Sequence, residues 1–514
     1  MTFDRKETPN VLFIMTDQQR FDAIHALGNQ IISTPNIDRL VARGVAFTNA
    51  YSTCPVCVPA RYTLRSGCEP HRTGVYSNES GPQVHASVRD ACGPFLAEIM
   101  AQRGYRTFGV GKFHTIPWDA NVGYEIEERS EELYDTPRQR AEDSYAAFIA
   151  REHPEYDFIE NLMGERTEMY YVPQMSPLPA SLGVEAWAAD RTCALLADPD
   201  PRPFFGFVSF IGPHPPFAPP IPFNRLYDPD DMPLPVLGDI DIDHQDEQIP
   251  WMNYAVYAED VSPALARVLK ARYYGEITYI DSCIGRVLDA LDERADRDNT
   301  VICFFADHGD HLGDHHAWQK ESFFEASCRV PLIVSWPGRL PGGTYSDQLA
   351  CLTDLFGVAT AASGTALYRD GHDILGVLEG ACEQRSTLQG LYGTPGSPRF
   401  KVMLRSERWK YVYIANGGYE QVFDLSTDPH ELTELHEAMP DVTAHLRDQA
   451  VRFVGSVGLS VALGDGGSAL RAYPAQRRPF QRIHQFDSSR GIERFGVGSP
   501  AGSGGAQEKK GRRI

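Results

Sequence analysis

The chain has 514 residues, of which 42% are hydrophobic and 23% charged, with a net charge of −21. Such a length exceeds the roughly 250–300 residues that one hydrophobic core organises, so at least two packed units are expected. The acidic balance excludes the basic footprint of a nucleic-acid binder, no apolar run approaches the ~20 residues of a membrane helix, and ten cysteines spread over so long a chain exclude a small disulfide scaffold.

Met1 to Pro9 is polar and lacks the apolar stretch of a secretory signal, which makes a cytoplasmic location the expectation. Asn10–Thr16 is a fully apolar run ending in Asp17-Gln18, the pattern of a buried parallel strand that delivers polar groups at its C-terminal end. Thr34-Pro35 opens a helix with Ile37, Leu40 and Val41 on one face, closed at Gly44, and Val45–Ala50 is a second strand. The rhythm recurs: strand Tyr105–Val110 ends in Gly111-Lys112-Phe113-His114, strand Pro203–Ile211 in Gly212-Pro213-His214, and strand Thr300–Phe305 in Asp307-His308-Gly309. Between them, Ile277, Ile280, Ile284, Val287, Leu288 and Leu291 have helical spacing. Alternating strands and helices predict an α/β fold with a large, mostly parallel sheet covered on both faces. Ligands bind beyond the carboxyl ends of such strands, and every polar cluster just named falls at one.

Residues from about 118 to 180 and about 216 to 260 break this rhythm and read as insertions that shape the rim of a site. Further on, Lys401–Leu404, Trp409–Ile414 and Glu420–Phe423 read as short antiparallel strands, followed by a helix from Met439 to Val457. The expected organisation is a catalytic domain over 1–390, a smaller α+β subdomain over 391–465 and an extension over 466–514. The final ~20 residues, rich in Gly and Ser, are read as disordered.

Cysteines such as Cys193, Cys283 and Cys303 sit in apolar surroundings and read as buried thiols. Cys54 and Cys57 form C-x-x-C, but a zinc site needs two further ligands and no second such pair exists; a redox pair, or a turn with Cys57 packed at a helix start, stays open. Cys57-Val58-Pro59-Ala60-Arg61 also has the form C-x-P-x-R. With NVLFIMTDQQRFDA, TPNIDRLVARGVAFTNAY, GYRTFGVGKFH, the segment from Asp298 to Gly338 and the C-terminal RSERWKYVYI, it resembles the sulfatase family of the alkaline phosphatase superfamily over some 430 residues.

The resemblance implies that Cys57 is oxidised to formylglycine by a dedicated maturation enzyme. It implies that Asp17, Gln18, Asp307 and His308, with the modified Cys57, hold one divalent cation. Calcium is the ion implied; an imidazole in place of a carboxylate suits manganese or magnesium as well. Arg61 is implied to hold the formylglycine oxygen, and Lys112, His114, His214 and Lys320 to contact substrate. Fixed cations and a metal stabilise the charge that develops on the bridging oxygen as a sulfate ester breaks. The implied reaction is hydrolysis of a sulfate monoester, of a small molecule or carbohydrate, through a covalent sulfo-enzyme, with His214 protonating the leaving oxygen and His114 taking a proton as sulfate departs. Asp-Gln and Asp-His also suit a phosphonate monoester or phosphodiester hydrolase on the same scaffold, and an unmodified Cys57 would leave a non-catalytic binder of sulfated ligands. His311, His315 and His316 are expected behind the site or on the surface, and His71 and Arg72 in a turn behind it. Neither nucleic acid nor membrane is an expected partner, and the aromatic rim segments leave a homo-oligomer open.

Overall fold

The computed structural model describes residues 8–477 except 80, 133, 135, 158–170, 172, 174, 239–245 and 250–260. The Gly/Ser-rich tail and parts of both rim segments therefore lie outside the described residues.

The larger sheet has eight strands: β1 Asn10–Thr16, β2 Val45–Tyr51, β3 Arg106–Gly111, β4 Ile126–Arg129, β5 Phe204–Ser209, β6 Thr300–Ala306, β7 Leu332–Ser335 and β8 Thr344–Cys351, in the order β4-β3-β5-β1-β6-β7-β2-β8. All neighbours are parallel except β7, which runs antiparallel to β6 and β2. β1 lies in the interior of the sheet, every residue buried, because its continuous apolar run suits contact on both faces. The strand's two-residue period sends Val11, Phe13 and Met15 into one core and Leu12 and Ile14 into the other. The first core includes Ala60 and Leu64 from the helix Cys57–Ser66. The second takes Ile280, Ile284, Val287 and Leu288 from the helix Pro263–Asp292. Each large side chain so buried contributes about 1.5–3 kcal/mol.

The segment read as a rim insertion from residue 118 also supplies sheet: β4 is its edge strand, followed by the helices Pro137–Glu142 and Ser144–Glu152. Ile126-Glu-Glu-Arg129 is short, charged and only partly buried, as suits an edge strand, and its composition hid it.

A second sheet of four antiparallel strands follows: β9 Thr387–Tyr392, β10 Lys401–Ser406, β11 Trp409–Ile414 and β12 Tyr419–Asp424, in the order β12-β11-β10-β9. It carries the helix Pro440–Ser456 through Leu446, Ala450 and Val454. β9 spans residue 391. Among the thiols, Cys283 and Cys303 are buried, but Cys193 is only half-buried and Cys382 is exposed.

Candidate active site

Strand register builds the site. Thr16 pairs with Ala306 across β1 and β6, so the next residues, Asp17 and Asp307, emerge side by side. Gly111 pairs with Ser209 across β3 and β5, which brings Lys112 alongside. Gly111 has φ +103°, and a Cβ there would lie 2.0 Å from the Ser209 carbonyl oxygen, so only glycine lets β3 turn Lys112 inward. Gly309 permits a similar approach: a Cβ would meet the Ala326 carbonyl oxygen at 2.0 Å.

Cys57 is the first residue of the helix Cys57–Ser66, entered from an extended Val56. Its thiol is buried at the helix's positive end. Cys57 Sγ lies 3.1 Å from His308 Nε2, 3.3 Å from Lys320 Nζ and 3.7 Å from Asp17 Oδ1, with the His114 ring in hydrogen-bonding reach. Cys54 points elsewhere, its Sγ 3.6 Å from the Tyr76 carbonyl, and both thiols are free. Donor atoms of Asp17, Cys57, Asp307 and His308 all lie within 4.8 Å of one another.

Those four residues suit a divalent cation. Burial pushes Asp307 above the usual carboxylate range and the neighbouring Asp17 pushes it further, a repulsion that a cation between them relieves. Burial also acts on Asp17, but Lys112, His214 and Arg61 outweigh it and hold it well below the ordinary value. His308 Nδ1 faces the Gly309 carbonyl at 3.0 Å and donates to it, which leaves the Nε2 lone pair turned toward Cys57. Burial lowers the His308 pKa, favouring the neutral, ligating form. Gln18, at φ +67°, accepts from Lys320 Nζ at 2.6 Å through Oε1 and donates to Asp310 through Nε2. Its oxygen keeps a second lone pair for a cation.

Arg61 makes contacts that the sequence did not suggest. Its guanidinium binds Asp17 Oδ2 at 2.7 Å, Asp307 Oδ2 at 3.1 Å, the Lys112 carbonyl at 2.6 Å and Ser209 Oγ at 3.0 Å. The side chain is fully buried and braces both carboxylates, with Cys57 close enough to act on its charge. Lys112 Nζ reaches Asp17 at 2.6 Å and Glu132 at 2.8 Å; burial works against its charge and those two carboxylates restore it. His214 Nδ1 lies 2.8 Å from the Pro215 carbonyl, with Nε2 3.5 Å from Glu132. Burial lowers His114, and Lys112 lowers it further; its Nδ1 is buried without a partner.

Several groups around the site escaped the sequence reading. Asp310 accepts from Gln18, from Tyr171 Oη at 2.7 Å and from the Leu312 N–H. Glu131 Oε1 accepts the Phe113 and His114 N–H groups. Non-glycine residues with positive φ (Gln18, His114, Gln319 and Glu321) directly follow or flank Asp17, Phe113 and Lys320, strain of the kind that collects where side chains are aimed for chemistry. His311 and His315 are buried and held neutral, His315 lowered to about 4 chiefly by burial, while His316 is exposed. His71 and Arg72 lie in the short helix Pro70–Thr73, Arg72 paired with Asp370 at 2.9 Å.

The sequence model of the sulfatase family matches residues 9–364, and that of the N-sulphoglucosamine sulphohydrolase C-terminal region matches 313–453. The chain belongs to the sulfatase family. Similar proteins include an arylsulfatase of Clostridium perfringens, 28% identical over 91% of this chain and 98% of its own length. A choline-sulfatase of Rhizobium meliloti is 30% identical over 84% of this chain and 82% of its own. In structure, this sulfatase superposes on a phosphonate monoester hydrolase of Agrobacterium radiobacter with a TM-score of 0.73 at 24% identity, covering 92% of this chain and all of the other. That likeness confirms the alkaline-phosphatase-like fold.

Proposed function

We propose that this sulfatase cleaves sulfate monoesters of small molecules or carbohydrates with residue 57 as its nucleophile, after a maturation enzyme has oxidised the cysteine to formylglycine. Sulfuric ester hydrolysis is the activity of its family, and the observation that carries the finer reading is the position of Cys57. It sits at a helix N-terminus, within 4.8 Å of two carboxylates and an imidazole that suit a divalent cation. As formylglycine, residue 57 would supply a hydrated aldehyde whose hydroxyl attacks sulfur. The cation would supply Lewis-acid polarisation of a sulfate oxygen and a lower pKa at that hydroxyl.

The chain's own residues carry the rest. Lys112 and Lys320 are fixed, buried cations close to Cys57, ready to bind sulfate oxygens without reorganising. His214, anchored through Nδ1 to the Pro215 carbonyl and with Nε2 beside Glu132, donates a proton to the departing oxygen. His114, in reach of residue 57 and kept neutral, accepts the proton released as sulfate leaves. Arg61 fixes Asp17 and Asp307 so that the cation is held in one place.

A second reading keeps the scaffold and changes the ester. Gln18 and His308 give the cation an amide and an imidazole where an all-acid set has two further carboxylates, an arrangement that also suits a phosphonate monoester or phosphodiester. Cys57→Ala and Cys57→Ser should each reduce turnover of an aryl sulfate to background while the fold, read by circular dichroism, is retained. Near-normal turnover by Cys57→Ala would contradict the mechanism.

A further inference from the structure

Glu132 occupies an unexpected place for an enzyme that binds anions. It follows the edge strand β4, in the loop where the neighbouring Glu131 ties down the backbone of Phe113 and His114. Its Oε2 lies 2.8 Å from Lys112 Nζ and 3.5 Å from His214 Nε2, and only 10% of its side chain is exposed. Lys112 and His214 are two of the groups assigned above to the transferred sulfate and its leaving oxygen. A fixed carboxylate between them opposes every incoming anion, because charges a few ångströms apart in a poorly solvated site interact strongly.

Two of the nearby cations already meet carboxylates. Arg61 is shared by Asp17 and Asp307, and Lys112 by Asp17 and Glu132. A sulfate monoester brings one negative charge. A phosphate monoester has the same tetrahedral shape and the same oxygen acceptors but brings nearly two near neutral pH. Shape and hydrogen bonding cannot separate such substrates; charge can, and Glu132 is the carboxylate placed to do it. Among the described residues, Asp17 and Asp307 are committed to the cation site and Asp310 to Gln18 and Tyr171, whereas Glu132 meets both Lys112 and His214.

We propose that Glu132 is a specificity-determining charge filter: by opposing Lys112 and His214 it holds the anion pocket to singly charged esters and disfavours doubly charged ones. The filter acts on charge and not on the central atom, so sulfate monoesters, phosphonate monoesters and phosphodiesters pass together while phosphate monoesters are held back. This rests on the sulfatase reading and adds the feature that sets its substrate range.

The test compares 4-nitrophenyl sulfate, 4-nitrophenyl phenylphosphonate and 4-nitrophenyl phosphate at about pH 8, where the phosphate monoester is a dianion and the others are monoanions. Ratios of kcat/KM within one preparation cancel differences in folded or matured fraction. In Glu132→Gln, which keeps an acceptor for Lys112 and removes the charge, the sulfate-to-phosphate ratio should fall about tenfold or more, with the sulfate-to-phosphonate ratio unchanged. Glu132→Asp, which keeps the charge, should retain a ratio close to the wild type. An unchanged sulfate-to-phosphate ratio in Glu132→Gln overturns the filter, as does a phosphonate rate that moves with the phosphate rate. Either result would leave the wild-type protein's sulfate hydrolysis intact, so failure of the filter is distinct from failure of the sulfatase reading.

Discussion

Arg61 illustrates how a residue's type can be legible in sequence while its task is not. Its position, one helical turn after Cys57, marks it as part of the site, but the spacing does not say whether it turns up toward substrate or down toward the sheet. It turns down, because Asp17 and Asp307 emerge beneath it from β1 and β6 and would otherwise be two buried, adjacent carboxylates. Lysine cannot reproduce the fork that binds both acids, the Lys112 carbonyl and Ser209 at once. Arg61→Lys should therefore weaken metal binding by about 10–100-fold, the usual cost of losing an outer partner of metal ligands. Titration with buffered divalent ion checks this; unchanged metal affinity with reduced turnover would mean that Arg61 acts on substrate instead. Asp17, Gln18, Cys57, Asp307 and His308 could be found because each directly follows an apolar strand or opens a helix. Glu132, Asp310 and Tyr171 could not, since they lie in segments without periodicity and the contacts that place them span 20 residues between Glu132 and Lys112 and 139 between Tyr171 and Asp310.

At the scale of elements, the strand ends were readable where the strand is apolar and buried, as in β1, β5 and β6, whereas β4 is short and charged and β9 is mixed in composition. The loop carrying His214 shows a cost of this architecture. Glu185, on the helix Val184–Ala197, accepts the Gly212 N–H at 2.7 Å and lies beside the buried Glu276 of the helix Pro263–Asp292. Burial pushes Glu185 from 4.5 up to about 7, and Glu276 is raised as well. The folded protein thus keeps a proton that the unfolded chain releases. Its stability is greatest below the unfolded value of 4.5 and falls as pH rises toward about 7. Glu185→Gln removes this titration, so the variant should match the wild type in acid and exceed it above neutrality by on the order of 2 kcal/mol. Thermal melts across pH would show it, and a difference independent of pH would contradict it.

On the scale of the whole molecule, the C-terminal sheet is joined to the catalytic half by buried charge. Lys410 of β11 pairs with Glu325, just beyond the active-site loop, at 2.8 Å and with Glu431 at 2.7 Å. Lys401 of β10 donates to the carbonyl of Glu321, and Tyr392 of β9 to its carboxylate, next to Lys320. Replacing one partner of such a network strands the others: Lys410→Met should cost about 3–5 kcal/mol, and urea should unfold both halves in one transition. A separate early transition of the C-terminal sheet would contradict that coupling. The division into a larger and a smaller sheet could be read from composition and periodicity, but the ion pairs between them could not, because charged residues in strands read as solvent-facing until the second sheet is in place.

The central claim is the chemistry of residue 57, and it is tested most directly by the mass of the proteolytic peptide that contains it. The account predicts a peptide that has lost one sulfur and two hydrogens and gained one oxygen, the aldehyde, together with its hydrate. A protein that hydrolyses sulfate esters while this peptide carries only the unmodified thiol would contradict it.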